Sequence, residues 1–255
     1  MPAFPQLTLY PVTRRANSRT VVNTLPDGNI VAFSDPNGAW VEWEMEAKGL
    51  TAAEWESVQM LHQTVSGQWQ TFTFLDPVGN LLAQSENFSA SAWTNGPLLA
   101  LTAGVNDPFG TSRATRVVNA GQAAQAIAQT LAAPGNYLYT LSVWARTSAG
   151  SNVTLAMGGV SQTFAATSQW RRISLSANPG QSAAGVTFGA QLDPGASADL
   201  FGMQVEAQAG VSDYKQTGAQ GGVYSNARFA LDGLTVRAQS TDVYDATIRI
   251  VSMGN

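Results

Sequence analysis

Two rhythms of apolar and polar positions alternate along the chain, and each predicts a different element. From Trp40 to Ala47, Val41, Trp43, Met45 and Ala47 fall on one side and Glu42, Glu44 and Glu46 on the other, as in a half-buried strand. The period then lengthens: Trp55, Val58, Leu61, His62 and Val65 recur at three- to four-residue spacing, the apolar stripe of a helix. Thr51-Ala52-Ala53-Glu54 ahead of it is a capping box, in which hydroxyl and carboxylate each take the other residue's amide. Gly67 stands where a left-handed C-terminal cap belongs. Period two returns with Phe72 and Phe74 opposite Thr71 and Thr73, until Asp76-Pro77 breaks it.

Upstream, Val21 to Leu25 and Ile30 to Phe33 flank Pro26-Asp27-Gly28-Asn29, a hairpin signal because Asp-Gly tolerates the positive φ of a tight turn. Ser34-Asp35-Pro36-Asn37-Gly38 predicts a second turn. Pro5, Pro11 and Arg14-Arg15 mark a poorly patterned arm, either laid along a neighbour or frayed.

From Asn80 to about Gln216 the chain is rich in Ala, Ser, Thr and Gly, with strand-length runs at Thr140 to Ala145, Asn152 to Met157, Arg171 to Ala177, Val186 to Leu192 and Leu200 to Val205. Turn residues between short strands, with no second amphipathic helix, predict a sandwich or jelly roll. Ala123 to Ala133 reads two ways: its alanines favour helix, whereas alternating Ile127, Gln129 and Leu131 suit a strand. After a flexible return at Gly218 to Gly222, apolar positions from Val223 to Val251 predict two or three strands, with a turn at Asp232-Gly233 and exposed spacing charges at Asp242, Asp245 and Arg249. So few strands are marginal alone, so they are expected to complete the sheet begun around residues 20 to 75. The expected fold class is therefore mainly β: a discontinuous β-rich domain, residues 1–79 plus 217–255, with one short amphipathic helix, and an inserted jelly-roll or β-sandwich domain, residues 80–216.

Composition narrows the function. Only 12% of the 255 residues are charged, about half of the ~25% usual in soluble domains, leaving a neutral polar surface suited to subunit packing or sugar contact. A net charge of -4 with two lysines, Lys48 and Lys215, argues against nucleic acid as partner. The absence of cysteine excludes disulfides and thiolate chemistry. No run approaches the ~20 apolar residues of a membrane span, and MPAFPQLTLYP lacks the basic and apolar regions of a signal peptide. A chain kept in the cytoplasm, or released by lysis as part of a particle, is expected.

Candidate chemistry is sparse. A single histidine, His62, removes His-dependent triads and multi-His metal sites, and reads as packing at the edge of the helix stripe. Glu42, Glu44 and Glu46 diverge along one strand and read as a solvated or subunit-facing ladder. Asp107 and Asp193 lie in predicted turns; calcium is conceivable there, but turn residues are the simpler reading, and no cofactor is expected. No nucleophile with its base and no convergent carboxylate pair is evident, so a hydrolase is not expected. The candidate ligand face is Trp144, Arg146, Trp170 and Arg172. Trp144 shares its side with Thr140, Ser142 and Arg146, away from Tyr139, Leu141 and Val143; Trp170 and Arg172 share theirs with Ser174 and Ser176. An aromatic among polar groups suits a sugar, whose C–H face stacks while its hydroxyls bond. The same residues also suit sandwich ends or a subunit contact.

Two resemblances add to this. Trp40 to Glu46, Gly49-Leu50-Thr51 with Glu54-Trp55, Gly67, Phe72 to Phe74 and Asp76-Pro77 resemble the scaffold of tail-tip hub proteins of long-tailed bacteriophages, distal tail proteins among them. That resemblance implies a virion structural protein in a homo-oligomeric ring at the distal tail or baseplate hub, with other tail proteins as partners. Asn80-Leu81-Leu82, Ser85-Glu86-Asn87-Phe88, Trp93, Asp107 to Gly110, Tyr139 to Arg146, Gln169 to Ser174, Gly202 to Glu206 and Ser212-Asp213-Tyr214 resemble a carbohydrate-binding-like β-sandwich that phage tail proteins carry. The pattern places a strand within 123–133, departs from the family at Lys215-Gln216, and implies attachment to a host-surface glycan. The alternative is a free-standing carbohydrate-binding protein or an accessory module of a glycan-active enzyme.

Overall fold

A computed structural model describes residues 2–147, 150–180 and 185–253. The chain begins with β1 (Val12–Thr24), β2 (Ile30–Thr51), α1 (Ala52–Thr64) and β3 (Phe72–Leu75). Then come β4 (Thr94–Asn95), β5 (Leu99–Val105), β6 (Ala114–Asn119), β7 (Gln125–Leu131), β8 (Tyr139–Arg146), β9 (Asn152–Met157), β10 (Val160–Ala165), β11 (Arg171–Ala177), β12 (Val186–Leu192) and β13 (Ser197–Glu206). The last strands are β14 (Val223–Phe229), β15 (Val236–Ser240) and β16 (Val243–Met253). The fold is mainly β, with one helix among the described residues. Contacts divide it into two compact units, residues 1–74 with 224–255, and residues 75–223.

In the first unit the strands run β1-β2-β16-β14-β3, with β15 also on β16. The period-two side of β2 supplies Trp43, Met45 and Ala47 to a core shared with Phe72, Phe74, Tyr224, Ala227, Phe229, Ile248 and Ile250, and Trp55, Val58 and Leu61 of α1 close it. Trp43 packs edge-on against both Phe74 and Tyr224, with centroids at 4.9 and 4.6 Å. The capping box forms as read: the Glu54 amide donates to the Thr51 hydroxyl at 3.3 Å and the Thr51 amide to the Glu54 carboxylate at 2.8 Å. Gly67, at φ 64°, donates to the His62 carbonyl, and the His62 ring packs 4.9 Å from that of Phe229.

Three local expectations are corrected. The arm around Arg14-Arg15 is neither frayed nor irregular: Val12 to Asn17 pair with Met45 to Trp40, because β2 would otherwise expose a bare edge. The residues before it are also held, with Phe4 and Leu9 buried and the Phe4 amide donating to the Thr73 carbonyl. Ser34 to Gly38 do not reverse the chain. They form a bulge within β2, where Asn17 faces Trp40 and Arg19 faces Asp35, and the Asp35 carboxylate accepts the amides of Asn37 and Gly38. The glutamates are ion-paired: Arg15 reaches Glu42 and Glu44, Arg249 reaches Glu44, and Lys48 reaches Glu46. Arg249 is thus a partner in this ladder rather than a spacing charge, and Asp245 accepts the Gly49 amide.

Among the described residues, β16 pairs with β2 as far as Met253 opposite Trp40. Beyond that point Arg19 to Thr24 and Ile30 to Asp35 continue as a ribbon of two strands. Its apolar side chains stay in solvent, with Val22 56%, Ile30 68% and Phe33 56% exposed.

The second unit is a sandwich of two five-stranded sheets, β10-β9-β12-β7-β4 and β11-β8-β13-β6-β5. Its core takes alternate residues of both, among them Ile127, Tyr139, Leu141, Val143, Leu155, Phe188 and Leu200. The segment 123–133 holds strand β7, whose pairing with β12 gives its backbone partners and buries Ile127 and Leu131. The boundaries fall at 74/75 and 223/224, against the 79/80 and 216/217 read from texture, because Asp76 and Asn80 are tied to Gly222: the Asp76 amide donates to the Gly222 carbonyl and the Gly222 amide to that of Asn80.

Candidate functional site

Strand β8 alternates between two environments, and its outward residues set the site. Tyr139, Leu141, Val143 and Ala145 face the sandwich core, which leaves Thr140, Ser142, Trp144 and Arg146 on the outer side of the sheet. On one flank β11 pairs Arg172 with Trp144, Ser174 with Ser142 and Ser176 with Thr140. On the other, β13 pairs Asp199 with Arg146, Phe201 with Trp144, Gln204 with Ser142 and Glu206 with Thr140, with a bulge between Phe201 and Gln204.

The four residues singled out from sequence meet as two crossed pairs. The Arg172 guanidinium lies 4.4 Å from the centroid of Trp144, and that of Arg146 lies 4.7 Å from Trp170. Arg172 of β11 covers Trp144 of β8, and Arg146 of β8 covers Trp170 just ahead of β11, both at cation–π distance. The Trp170 indole nitrogen and the Arg172 Nε are buried without a hydrogen-bond partner among the described residues.

Half of this face is roofed by the chain's own return segment, residues 207–217. Tyr214 packs edge-on against Trp144 at 5.5 Å, and Phe109 closes the same ring from another side at 5.6 Å. Arg172 donates to the Ser212 carbonyl at 2.6 Å and to the Ser142 hydroxyl at 3.1 Å. The Thr140 hydroxyl donates to the Gln208 carbonyl, the Lys215 amide donates to the Gln204 side chain, and the Lys215 ammonium sits 3.0 Å from Glu206. Thr140 and Ser142, polar and outward-facing, are in consequence fully buried. Burial raises the Glu206 carboxyl, but bonds from the Ser212 hydroxyl and amide, Gln204 and Lys215 outweigh it and hold the group below its ordinary value.

The opening motif of this unit holds the roof in place. The Tyr214 hydroxyl bonds Ser85 at 2.8 Å and donates to Glu86 at 3.0 Å, and the Thr217 amide donates to Ser85 at 2.9 Å. Leu81, Leu82, Phe88 and Trp93 fill the core beneath. Motif residues at the two ends of the unit therefore recognise each other.

The other half of the face is open. At the Arg146 end a depression of about 190 Å³ is lined by Arg116, Arg146, Thr147, Ser168, Ser197, Ala198 and Asp199. Arg116 donates to both Asp199 oxygens, Nε at 2.8 Å and Nη2 at 3.2 Å, while Arg146 Nε donates at 3.0 Å. Burial pushes the Asp199 carboxyl up, but these bonds and the two positive charges hold it below its ordinary value. Arg116, Ser168 and Asp199 were not singled out from sequence. Asp199 carried a signal, a carboxylate within the apolar run Ala198 to Phe201, which demands a buried partner.

Asp107 is a turn residue in the structure. Its carboxylate accepts the amides of Phe109, Thr111 and Arg113 and the Thr111 hydroxyl, which outweigh burial and hold it at about 2. The Asp193 carbonyl likewise accepts the Ala196 amide across a turn. Among the described residues no three His, Cys, Asp or Glu side chains converge as metal ligands would.

No protein-family model matches the sequence, and no curated protein matches it. Among solved structures, the chain is similar to the first carbohydrate-binding and catalytic modules of a Clostridium thermocellum endo-1,4-β-xylanase complexed with xylohexaose, at 16% identity and TM-score 0.41, over 53% of this chain and 29% of that one. The C-terminal family 22 carbohydrate-binding module of the same organism's xylanase gives 16% identity and TM-score 0.42, over 55% of this chain and 99% of that one. The enzymatically active domain of tailspike protein 4 of bacteriophage CBA120 gives 13% identity and TM-score 0.39, over 53% of this chain and 22% of that one. The chain thus spans less than a third of two of these three proteins.

Proposed function

We propose that the protein is a non-catalytic assembly and attachment component: its discontinuous unit joins further copies of itself through the β1–β2 ribbon, and its sandwich unit contacts carbohydrate. The ribbon carries this reading. Two strands without a third, and without a core, are marginally stable in water, yet this pair carries Val21, Val22, Leu25, Ile30 and Phe33 with more than a third of each side chain in solvent. Each such side chain, once buried, contributes about 1.5–3 kcal/mol. A second copy is the occupant, because the free edge of β1 can extend a neighbour's sheet as β2 extends its own. The resemblance to tail-tip hub scaffolds supports a ring at the distal tail of a phage or gene-transfer particle as the form of this assembly. There several weakly binding sandwiches would engage a host surface together.

Light scattering coupled to size-exclusion chromatography tests it. The intact protein is expected to run as a closed oligomer and the Ile30→Lys, Phe33→Asp double variant as a folded monomer. A native protein that is monomeric at every concentration, with sugar affinity of its own, would establish the second reading, a free-standing carbohydrate-binding protein. What favours that reading is that Trp144, Arg146, Trp170 and Arg172 all lie within the sandwich unit.

A further inference from the structure

We propose that the depression at Arg116, Arg146 and Asp199 is a subsite for the ring carboxylate of an acidic sugar, a uronic-acid-type pyranose. This rests on the carbohydrate half of the function proposed above and names the class of sugar. Two guanidinium groups converge on one carboxylate, so the cluster carries one positive charge in excess. Asp199 engages Nε and Nη2 of Arg116 and Nε of Arg146, which leaves Arg116 Nη1 and both terminal nitrogens of Arg146 without a hydrogen-bond partner among the described residues. Arginine N–H groups held in a fixed plane match a carboxylate in geometry and charge. Here the plane is fixed twice, by Asp199 at one edge of Arg146 and by the Trp170 ring against its face.

The Asp199 carboxylate also sets an upper limit on the charge of the guest. A phosphate dianion would meet a fixed negative group at short range, whereas one carboxylate is balanced by the single excess positive charge. The volume, about 190 Å³, is below the ~300–1,000 Å³ of pockets for drug-sized ligands and suits one sugar ring. Ser168 and Ser197 stand at the wall to meet ring hydroxyls, while the Thr147 hydroxyl is already committed to the Ser197 carbonyl.

The test titrates the full-length protein with matched methyl glycosides, galacturonide against galactoside and glucuronide against glucoside, with ligand-observed NMR as readout. At least tenfold tighter binding of one uronide than of its neutral partner is expected. Arg146→Gln should abolish that preference, and Ser168→Trp, which fills the depression and leaves the ion pairs intact, should abolish binding with the thermal midpoint unchanged. Equal affinity for acidic and neutral partners, or a preference that survives both variants, overturns the subsite while leaving the carbohydrate reading standing. Displacement of the uronide by equimolar acetate or inorganic phosphate also overturns it, since the ring would then contribute nothing. Failure of every glycoside to bind at high millimolar concentration overturns the subsite and the carbohydrate reading together.

Discussion

The side-chain carbonyl of Asn80 accepts the backbone amide of Val205 at 3.0 Å, joining positions 125 residues apart. The same oxygen accepts the Leu82 amide at 3.1 Å, and the amide nitrogen donates to the carbonyls of Met203 at 3.0 Å and Lys215 at 3.2 Å. One buried side chain therefore ties the entrance of the sandwich unit to its last strand and to its return segment. Asn80→Ala leaves these backbone groups unpaired, and a loss of about 2–4 kcal/mol in unfolding free energy is expected. Urea unfolding followed by tryptophan fluorescence measures it; a loss below 1 kcal/mol would show that the return segment is held by its other bonds.

Gly202 sits at the bulge of β13 with φ +63°, and a Cβ there would lie 3.0 Å from the Tyr214 ring and 3.4 Å from Trp144. Gly202→Ala thus adds backbone strain of about 1 kcal/mol or more and pushes Tyr214 off Trp144. Faster amide exchange over residues 207–217, with the core strands unchanged, is the expected readout in hydrogen exchange.

Acidification should destabilise the sandwich unit. The carboxyls of Asp199 and Glu206 are held below their ordinary values of 3.8 and 4.5, and Asp107 is held at about 2. Groups with depressed folded-state values stabilise fully above the unfolded values and lose that contribution as pH falls through the folded ones. Thermal midpoints should therefore be flat from neutral pH to about 5 and fall steeply below 4. Asp199→Asn should flatten the fall and lower the plateau.

On the ribbon, single substitutions of Ile30 or Phe33 by a charged residue should change monomer unfolding by less than about 0.5 kcal/mol, since neither side chain packs in the core. The same substitutions should lower the oligomer fraction at a given concentration. Sedimentation velocity separates the two effects.

Thr51→Ala removes the helix cap and leaves the Glu54 amide without its acceptor. A loss of about 1 kcal/mol is expected, and Thr51→Ser should recover most of it.

Much of the fold follows from local pattern. The inward side of β2, the capping box and the strands β8, β9, β11 and β12 are legible because period, cap chemistry and turn residues agree within windows of a dozen residues. Strands β5 and β10 are not, because Leu99 to Val105 and Val160 to Ala165 are largely exposed and carry little alternation. The continuity of β2 through Asp35 to Gly38 was hidden by turn residues that build a bulge. At the candidate site, period two places Trp144 and Arg146 on the outer face, but no local signal shows that Tyr214 lies across Trp144. That contact depends on Ser85 and Glu86, well over a hundred residues upstream. The same holds for Arg116 and Arg146, which meet only because β13 runs between β6 and β8.

Asp76 and Gly222 lie hydrogen-bonded side by side, so the sandwich unit enters and leaves through the width of one strand pair. A gene that replaced the intervening codons with another cassette would need to match only that narrow doorway. The lineage of such a protein is thus free to exchange one unit by recombination in a single step, without remodelling the other.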